Sequence, residues 1–170
     1  MMGKAISEKQ PWGYLLCTGI KDIENRTWPL PEKYIGERIL IHTSAKAAGK
    51  ILSLLSEKQQ AALWWHLLTN RVYDRKEEDL DCGAIIGSVR FVDCVINHES
   101  IWAEKTEIST EWGKDLEIIV DDKPIYNWVT TDAILFNKPI LNVKGRLGFW
   151  DVPNEIMKQI KENNEILNNI

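Results

Sequence analysis

Gly83-Ala84-Ile85-Ile86-Gly87-Ser88-Val89-Arg90-Phe91-Val92-Asp93-Cys94-Val95-Ile96 is the longest strand signal in the chain. Its valines, isoleucines and phenylalanine suit a pleated, largely buried surface, and they do not recur at helical spacing. Upstream, Arg38-Ile39-Leu40-Ile41-His42-Thr43 is a second short apolar strand. Downstream, Tyr126-Asn127-Trp128-Val129 and Ala133-Ile134-Leu135-Phe136 read as two strands joined by a turn at Thr130-Thr131-Asp132. Gly145-Arg146-Leu147-Gly148-Phe149-Trp150 reads as a closing strand.

Helical signals lie between and after these strands. Pro11 to Gly19 predicts a short helix, with proline in its first turn and glycine at a left-handed end. Ala47, Ile51, Leu54 and Leu55 recur at helical spacing. Ser56-Glu57-Lys58-Gln59 has the capping-box pattern and predicts a helix to about Asn70, with Leu63, Trp64, Leu67 and Leu68 as its apolar stripe. The charged run Asp74 to Asp81 reads as a surface loop, and residues 103–123 as an acidic excursion between strands. Beyond Pro153, Ile156, Ile160 and Leu167 predict a terminal amphipathic helix. Short, non-alternating strands interrupted by helices predict an α+β fold, a small mixed β-barrel with flanking helices rather than a doubly wound sheet.

Length and composition agree. The chain has 170 residues, 44% hydrophobic and 27% charged, which fits one domain over 1–170, its core at about 6–152 and a C-terminal helix at about 153–168. The longest apolar stretch, Ala61 to Leu68, is broken by His66 and falls far short of the ~20 residues a membrane span requires. The start lacks the apolar core of a secretory signal. Three cysteines, Cys17, Cys82 and Cys94, without CxxC spacing argue against a disulfide framework and for a reducing cytoplasm. Cys94 and His98 have no second pair to complete a metal site, so no metal and no cofactor are expected. A serine or cysteine hydrolase finds no nucleophile motif.

Net charge is −4, against nonspecific coating of nucleic acid, but it is unevenly spread. Residues 1–60 hold nine Lys/Arg and six Asp/Glu, net +3, and the remainder is net −7. A phosphate-bearing ligand therefore meets the N-terminal third more favourably, and the acidic remainder can serve a protein partner.

Chemistry concentrates in Gly19-Ile20-Lys21-Asp22-Ile23-Glu24-Asn25-Arg26-Thr27-Trp28. If extended, it puts Ile20, Asp22, Glu24 and Arg26 on one face and Lys21, Ile23 and Asn25 on the other. If it begins as a turn, Lys21 and Glu24 meet at i, i+3. The residues alone leave both open. Mixed charges beside an apolar helix suit a polar cleft, in which Lys21 and Arg26 hold a phosphate or carbonyl oxygen and Glu24 accepts from the exocyclic amine of a base. Trp28 is a candidate for stacking on a base, Trp12 for anchoring the helix, and Trp128 and Trp150 for the core. His42 and Ser44 are candidate hydrogen-bond partners of an anion at a helix start, with Lys46 in its first turn. Lys144 and Arg146 are candidate backbone contacts.

These residues resemble the ASCH family, the ASC-1 homology domains of the PUA-like superfamily. The resemblance runs through Gln10-Pro11-Trp12, Gly19-x-Lys21-x-x-Glu24-x-Arg26, Gly36 and Ile39 to Ser44. It continues through Gly87 to Cys94, Trp128, Pro139-Ile140 and Lys144 to Trp150, from about Ile6 to Val152. It implies a PUA-like barrel with a cleft beside the first helix, lined by Lys21, Glu24 and Arg26, that binds RNA or a nucleotide. Some small bacterial members are similar in this motif but hydrolyse N4-acylated cytidines with a lysine, a threonine and a distant glutamate. Lys21 matches their lysine, but their threonine position is Glu24 here. That change removes a hydroxyl and puts a carboxylate beside the lysine, which weakens the lysine as a base. In an enzyme, Glu24 would be the general base and Lys21 its electrostatic partner.

Overall fold

The computed structural model describes residues 3–70, 80–110, 117–120 and 122–164. The chain begins with strand β1 (Lys4–Glu8), helix α1 (Trp12–Cys17) and strand β2 (Ile23–Arg26). A single 3-10 turn at Glu32–Tyr34 leads to β3 (Arg38–Thr43), and α2 (Ile51–Leu54) and α3 (Glu57–Asn70) follow. The long strand β4 (Ala84–Val95) is separated from β7 (Tyr126–Ile140) by a hairpin of β5 (Ile108–Thr110) and β6 (Glu117–Ile119). Strand β8 (Phe149–Asp151) and helix α4 (Asn154–Asn163) complete the order.

Six strands form one curled sheet, a half-barrel of order β2-β7-β4-β3-β1-β8. Among the described residues only β1 and β3 pair in parallel, with Ile6 opposite Ile41 and Glu8 opposite Thr43. Both faces of the sheet are covered, so β1, β3 and the first two thirds of β4 are buried almost continuously rather than in strict alternation. One face carries Ile23, Ile41, Val89, Phe91 and Trp128, clustered with Leu15 and Leu16 of α1. The other carries Leu40, Ile85, Phe136 and Trp150, clustered with Ile160 of α4. Complete burial of one such side chain stabilises by about 1.5–3 kcal/mol. Gly87 permits the close approach of α1, since a Cβ there would lie 2.6 Å from Cys17 Sγ and collide with the Ile134 carbonyl.

Several expectations hold in detail. Helix α1 ends at Gly19 with φ +73°, in the left-handed region glycine favours. The capping box closes reciprocally, with Ser56 N–H donating to Gln59 Oε1 at 3.0 Å and Gln59 N–H to Ser56 Oγ at 3.4 Å. The three cysteines are free. No helix among the described residues is long and apolar enough to cross a membrane.

Other expectations are corrected. The two strands expected at 126–129 and 133–136 are one strand, β7, and the supposed turn is an irregularity in its pairing with β4. Asp132 takes φ +49° there, which a short polar residue tolerates, so turn-like composition marks a bulge. The closing strand is confined to Phe149–Asp151, and residues 144–148 form a loop that bends at Gly148 with φ +63°. No helix starts at Ser44, because residues 44–50 are irregular and helix resumes only at Ile51. In α3, Leu63 is buried and Leu67 packs on the core, whereas Trp64 and Leu68 are exposed. The terminal helix ends at Asn163. Leu167 and residues 74–79 of the charged run lie outside the described residues.

Candidate functional site

Strand β2 is short and lies at the sheet edge, with Ile23 in the core and Glu24 lining the hollows described below. Residues 21–22 precede the strand, which resolves the two readings of the motif. Lys21 turns back onto Glu24 at i, i+3, while Glu24 and Arg26 share a strand face. Lys21 Nζ donates to Glu24 Oε2 at 3.0 Å and also to the Ile23 carbonyl. Arg26 Nε lies 3.0 Å from Glu24 Oε1 as an ion pair, without hydrogen-bond alignment. A terminal nitrogen of Arg26, Nη2, donates to Glu8 Oε1 and, at 3.3 Å, to the Ser7 carbonyl.

The result is a buried cluster of two carboxyls and two cations. Lys21, Glu24 and Glu8 are 4%, 5% and 6% exposed. The two carboxyls shift in opposite directions because their partners differ. Burial opposes charge on Glu24, but Lys21 and Arg26 outweigh it and hold this carboxyl below its usual range. Burial and the neighbouring Glu24 charge push Glu8 well above its usual range, against the opposing pull of Arg26. Burial also raises the Cys17 thiol, with a smaller contribution from Glu8.

Two hollows are lined by this cluster, and a third adjoins the second. The first, about 360 Å³, has Trp12, Lys21, Glu24, Asn25, Trp102 and Glu104 among its lining residues. That volume falls within the ~300–1,000 Å³ of small-molecule sites. Lys21 Nζ lies 5.9 Å from the centroid of the half-buried Trp12 ring. The Trp102 wall is pinned from below: Asn25 Nδ2 donates to the Trp102 carbonyl at 2.9 Å, and Asn25 Oδ1 accepts from Glu104 N–H at 3.1 Å. Buried Asn127 donates to Asn25 Oδ1 at 3.0 Å and to the Glu104 carbonyl at 3.0 Å. The second hollow, about 330 Å³, shares Trp12, Glu24 and Asn25 with the first and adds Glu8, Lys9, Arg26 and Arg146. The third, about 380 Å³, shares Ser7, Ser44, Arg146 and Leu147 with the second and adds His42 and Lys144.

Lys21, Glu24, Arg26, Ser44, Lys144 and Arg146 thus line one run of adjoining hollows. His42 contributes from beneath. It is buried, with Nε2 2.9 Å from the Val143 carbonyl and Nδ1 3.1 Å from Ser7 Oγ. Burial lowers its pKa, and the Val143 carbonyl opposes this. A Cβ on Gly145 would meet His42 Nδ1 at 2.5 Å and Ser7 Oγ at 2.7 Å, so this glycine lets the 144–148 loop close over the pair. Lys46 is exposed and does not line the hollows, and the helix start that motivated it is absent. Trp28 is displaced from the stacking role. It lines none of these hollows; its half-buried ring packs edge-on against Trp128 at 4.5 Å and Phe149 at 5.9 Å, on the side of the aromatic core.

Glu8, Trp102, Asn25 and Asn127 escaped the sequence reading as site residues. Glu8 ends a five-residue strand too short to show periodicity, and it meets Arg26 only through the β1–β3 and β2–β7 pairings. Trp102 lies in a segment without pattern.

A search of curated proteins finds no match. Among solved structures, the crystal structure of ASCH from Zymomonas mobilis aligns over 94% of both chains at 12% identity and TM-score 0.47. Its serine-to-alanine and tyrosine-to-phenylalanine variants align at 13% identity and TM-score 0.47, over 94% of this chain and 94% and 96% of theirs. The family model of the ASCH domain matches residues 6–140, and the chain belongs to that family.

Proposed function

We propose that this ASCH domain binds single-stranded RNA, or a nucleotide of it, along the adjoining hollows beside α1. The observation that carries the reading is the change of character along them. The first hollow is aromatic-walled and polar-floored, suited to one base, with Trp12 against its face and Glu24 and Asn25 toward its hydrogen-bonding edge. The second and third present Lys9, Arg26, Arg146 and Lys144, suited to phosphates. Lys21 acts chiefly by holding Glu24 ionised, since its ammonium is already engaged.

The test is fluorescence anisotropy with short single-stranded RNA over a salt series. Few phosphate contacts predict a log–log slope of roughly −2 to −3. Arg146→Ala, an exposed change, is expected to weaken binding and make that slope shallower. Unchanged affinity in Arg146→Ala and Trp12→Ala would remove the site assignment.

A second reading, hydrolysis of an acylated nucleoside, is favoured by one observation: an ionised Glu24 beside Lys21 on the floor of a nucleoside-sized hollow. Incubation with N4-acetylcytidine decides it. Release of cytidine that is lost in Glu24→Gln supports an enzyme, and binding without turnover ends this reading.

A further inference from the structure

We propose that the groove takes up its nucleic-acid ligand together with a proton carried on Glu8, so that Glu8 sets the charge the ligand's phosphates meet. This rests on the RNA-binding reading above and adds a residue and a co-ligand to it.

The geometry is asymmetric. Glu24 has two cationic partners, Lys21 at 3.0 Å and Arg26 at 3.0 Å. Among the described residues Glu8 forms its ion pair with Arg26 alone and shares it with Glu24. Both carboxyls are more than nine-tenths buried, where an incompletely compensated charge is costly. A single proton shared between neighbouring carboxyls is the usual resolution, and it resides on the less compensated partner. Protonated Glu8 then donates to the Glu24 carboxylate, and burial together with Glu24's charge is what keeps it protonated above the ordinary range.

The charges around Glu8 can be enumerated. Lys21, Glu24 and Arg26 face it from β2 and its lead-in, and the Cys17 thiol faces it from α1. Strand β3 presents uncharged Thr43 opposite it. Lys9 and Arg146 line the same hollow. With Glu8 protonated, the cluster of Lys21, Glu24, Arg26 and Glu8 carries a net positive charge. With Glu8 ionised it is neutral. Arg26 Nη1 has no protein partner among the described residues and remains for a ligand oxygen. An anionic phosphodiester therefore binds better to the protonated form, and by linkage its binding draws in a proton.

The experiment has two arms. Carboxyl 13C NMR of the ligand-free protein follows Glu8 from about pH 4 to about pH 9, with Glu8→Gln assigning the resonance. Affinity for short single-stranded RNA is measured over the same range for the wild type and Glu8→Gln, whose amide mimics the protonated acid. The expected result is a Glu8 titration above the ordinary carboxylate range. Wild-type affinity then falls on the order of tenfold as pH rises through that titration, and Glu8→Gln shows no such fall. A Glu8 that titrates normally, or an equal fall in Glu8→Gln, overturns the proton coupling while leaving RNA binding in place. Absence of RNA binding at every pH overturns both readings.

Discussion

Lys21 Nζ and Glu24 Oε2 lie 3.0 Å apart with side chains only 5% and 7% exposed, so each is the other's main compensation for lost water. Breaking such a pair from one side costs more than removing both. Glu24→Ala is expected to destabilise by about 3–5 kcal/mol. Glu24→Leu combined with Lys21→Met should lose distinctly less than the sum of the two single changes. Urea unfolding of the four species measures the coupling, and simple additivity would show that the pair is not compensating.

Trp28 and Trp12 separate stability from binding. Trp28 packs against Trp128 and Phe149, so Trp28→Ala should cost about 3 kcal/mol through the cavity it leaves. Trp12 is half-buried at the wall of two hollows. Trp12→Ala should weaken RNA binding by about 1–3 kcal/mol with a smaller stability loss. Thermal unfolding and anisotropy on the same preparations test both; a reversed pattern would return the stacking role to Trp28.

Asn25 and Asn127 hold the Trp102 wall by hydrogen bonds to residues 102 and 104. Asn25→Ala leaves the buried Asn127 amide short of a partner and should cost about 1–3 kcal/mol. The specific sign is faster hydrogen exchange at the Glu104 amide, which Asn25 Oδ1 otherwise accepts. Unaltered exchange there would mean that the wall is held by other contacts.

His42 gives a pH dependence of definite sign. Its folded pKa lies below the unfolded value of about 6.5. Between the two the unfolded chain binds more protons, so stability falls as pH drops from about 6.5 toward the folded pKa. Above about 6.5 this contribution is constant. Imidazole NMR should show His42 titrating below the ordinary range; a titration at or above it would contradict this sign.

Gly87→Ala should destabilise by about 1–3 kcal/mol through overpacking, because a Cβ there meets Cys17 Sγ at 2.6 Å and the Ile134 backbone. Strain transmitted through α1 should also weaken RNA binding. Full stability in this variant would show that α1 can retreat from β4.

Local signals in the sequence were sufficient for the α+β class, α1 with its glycine end, the capping box of α3, the long strand β4 and the motif Lys21, Glu24, Arg26. Each depends on neighbours within a turn or a strand, where side-chain type and spacing decide conformation directly. The continuity of β7 was hidden because Thr130-Thr131-Asp132 has the composition of a turn, and only pairing with β4 makes it a bulge. Trp28's place in the core, Glu8's seat on Arg26 and the Asn127 brace beneath Trp102 were decided by tertiary structure. They join residues 18 to 102 positions apart through strand order, and no one-dimensional pattern encodes which edges of a sheet curl toward each other. The same holds for acidity: the sequence supplies two glutamates, but unequal access to Lys21 and Arg26 in a buried space holds one carboxyl below its usual range and pushes the other above it.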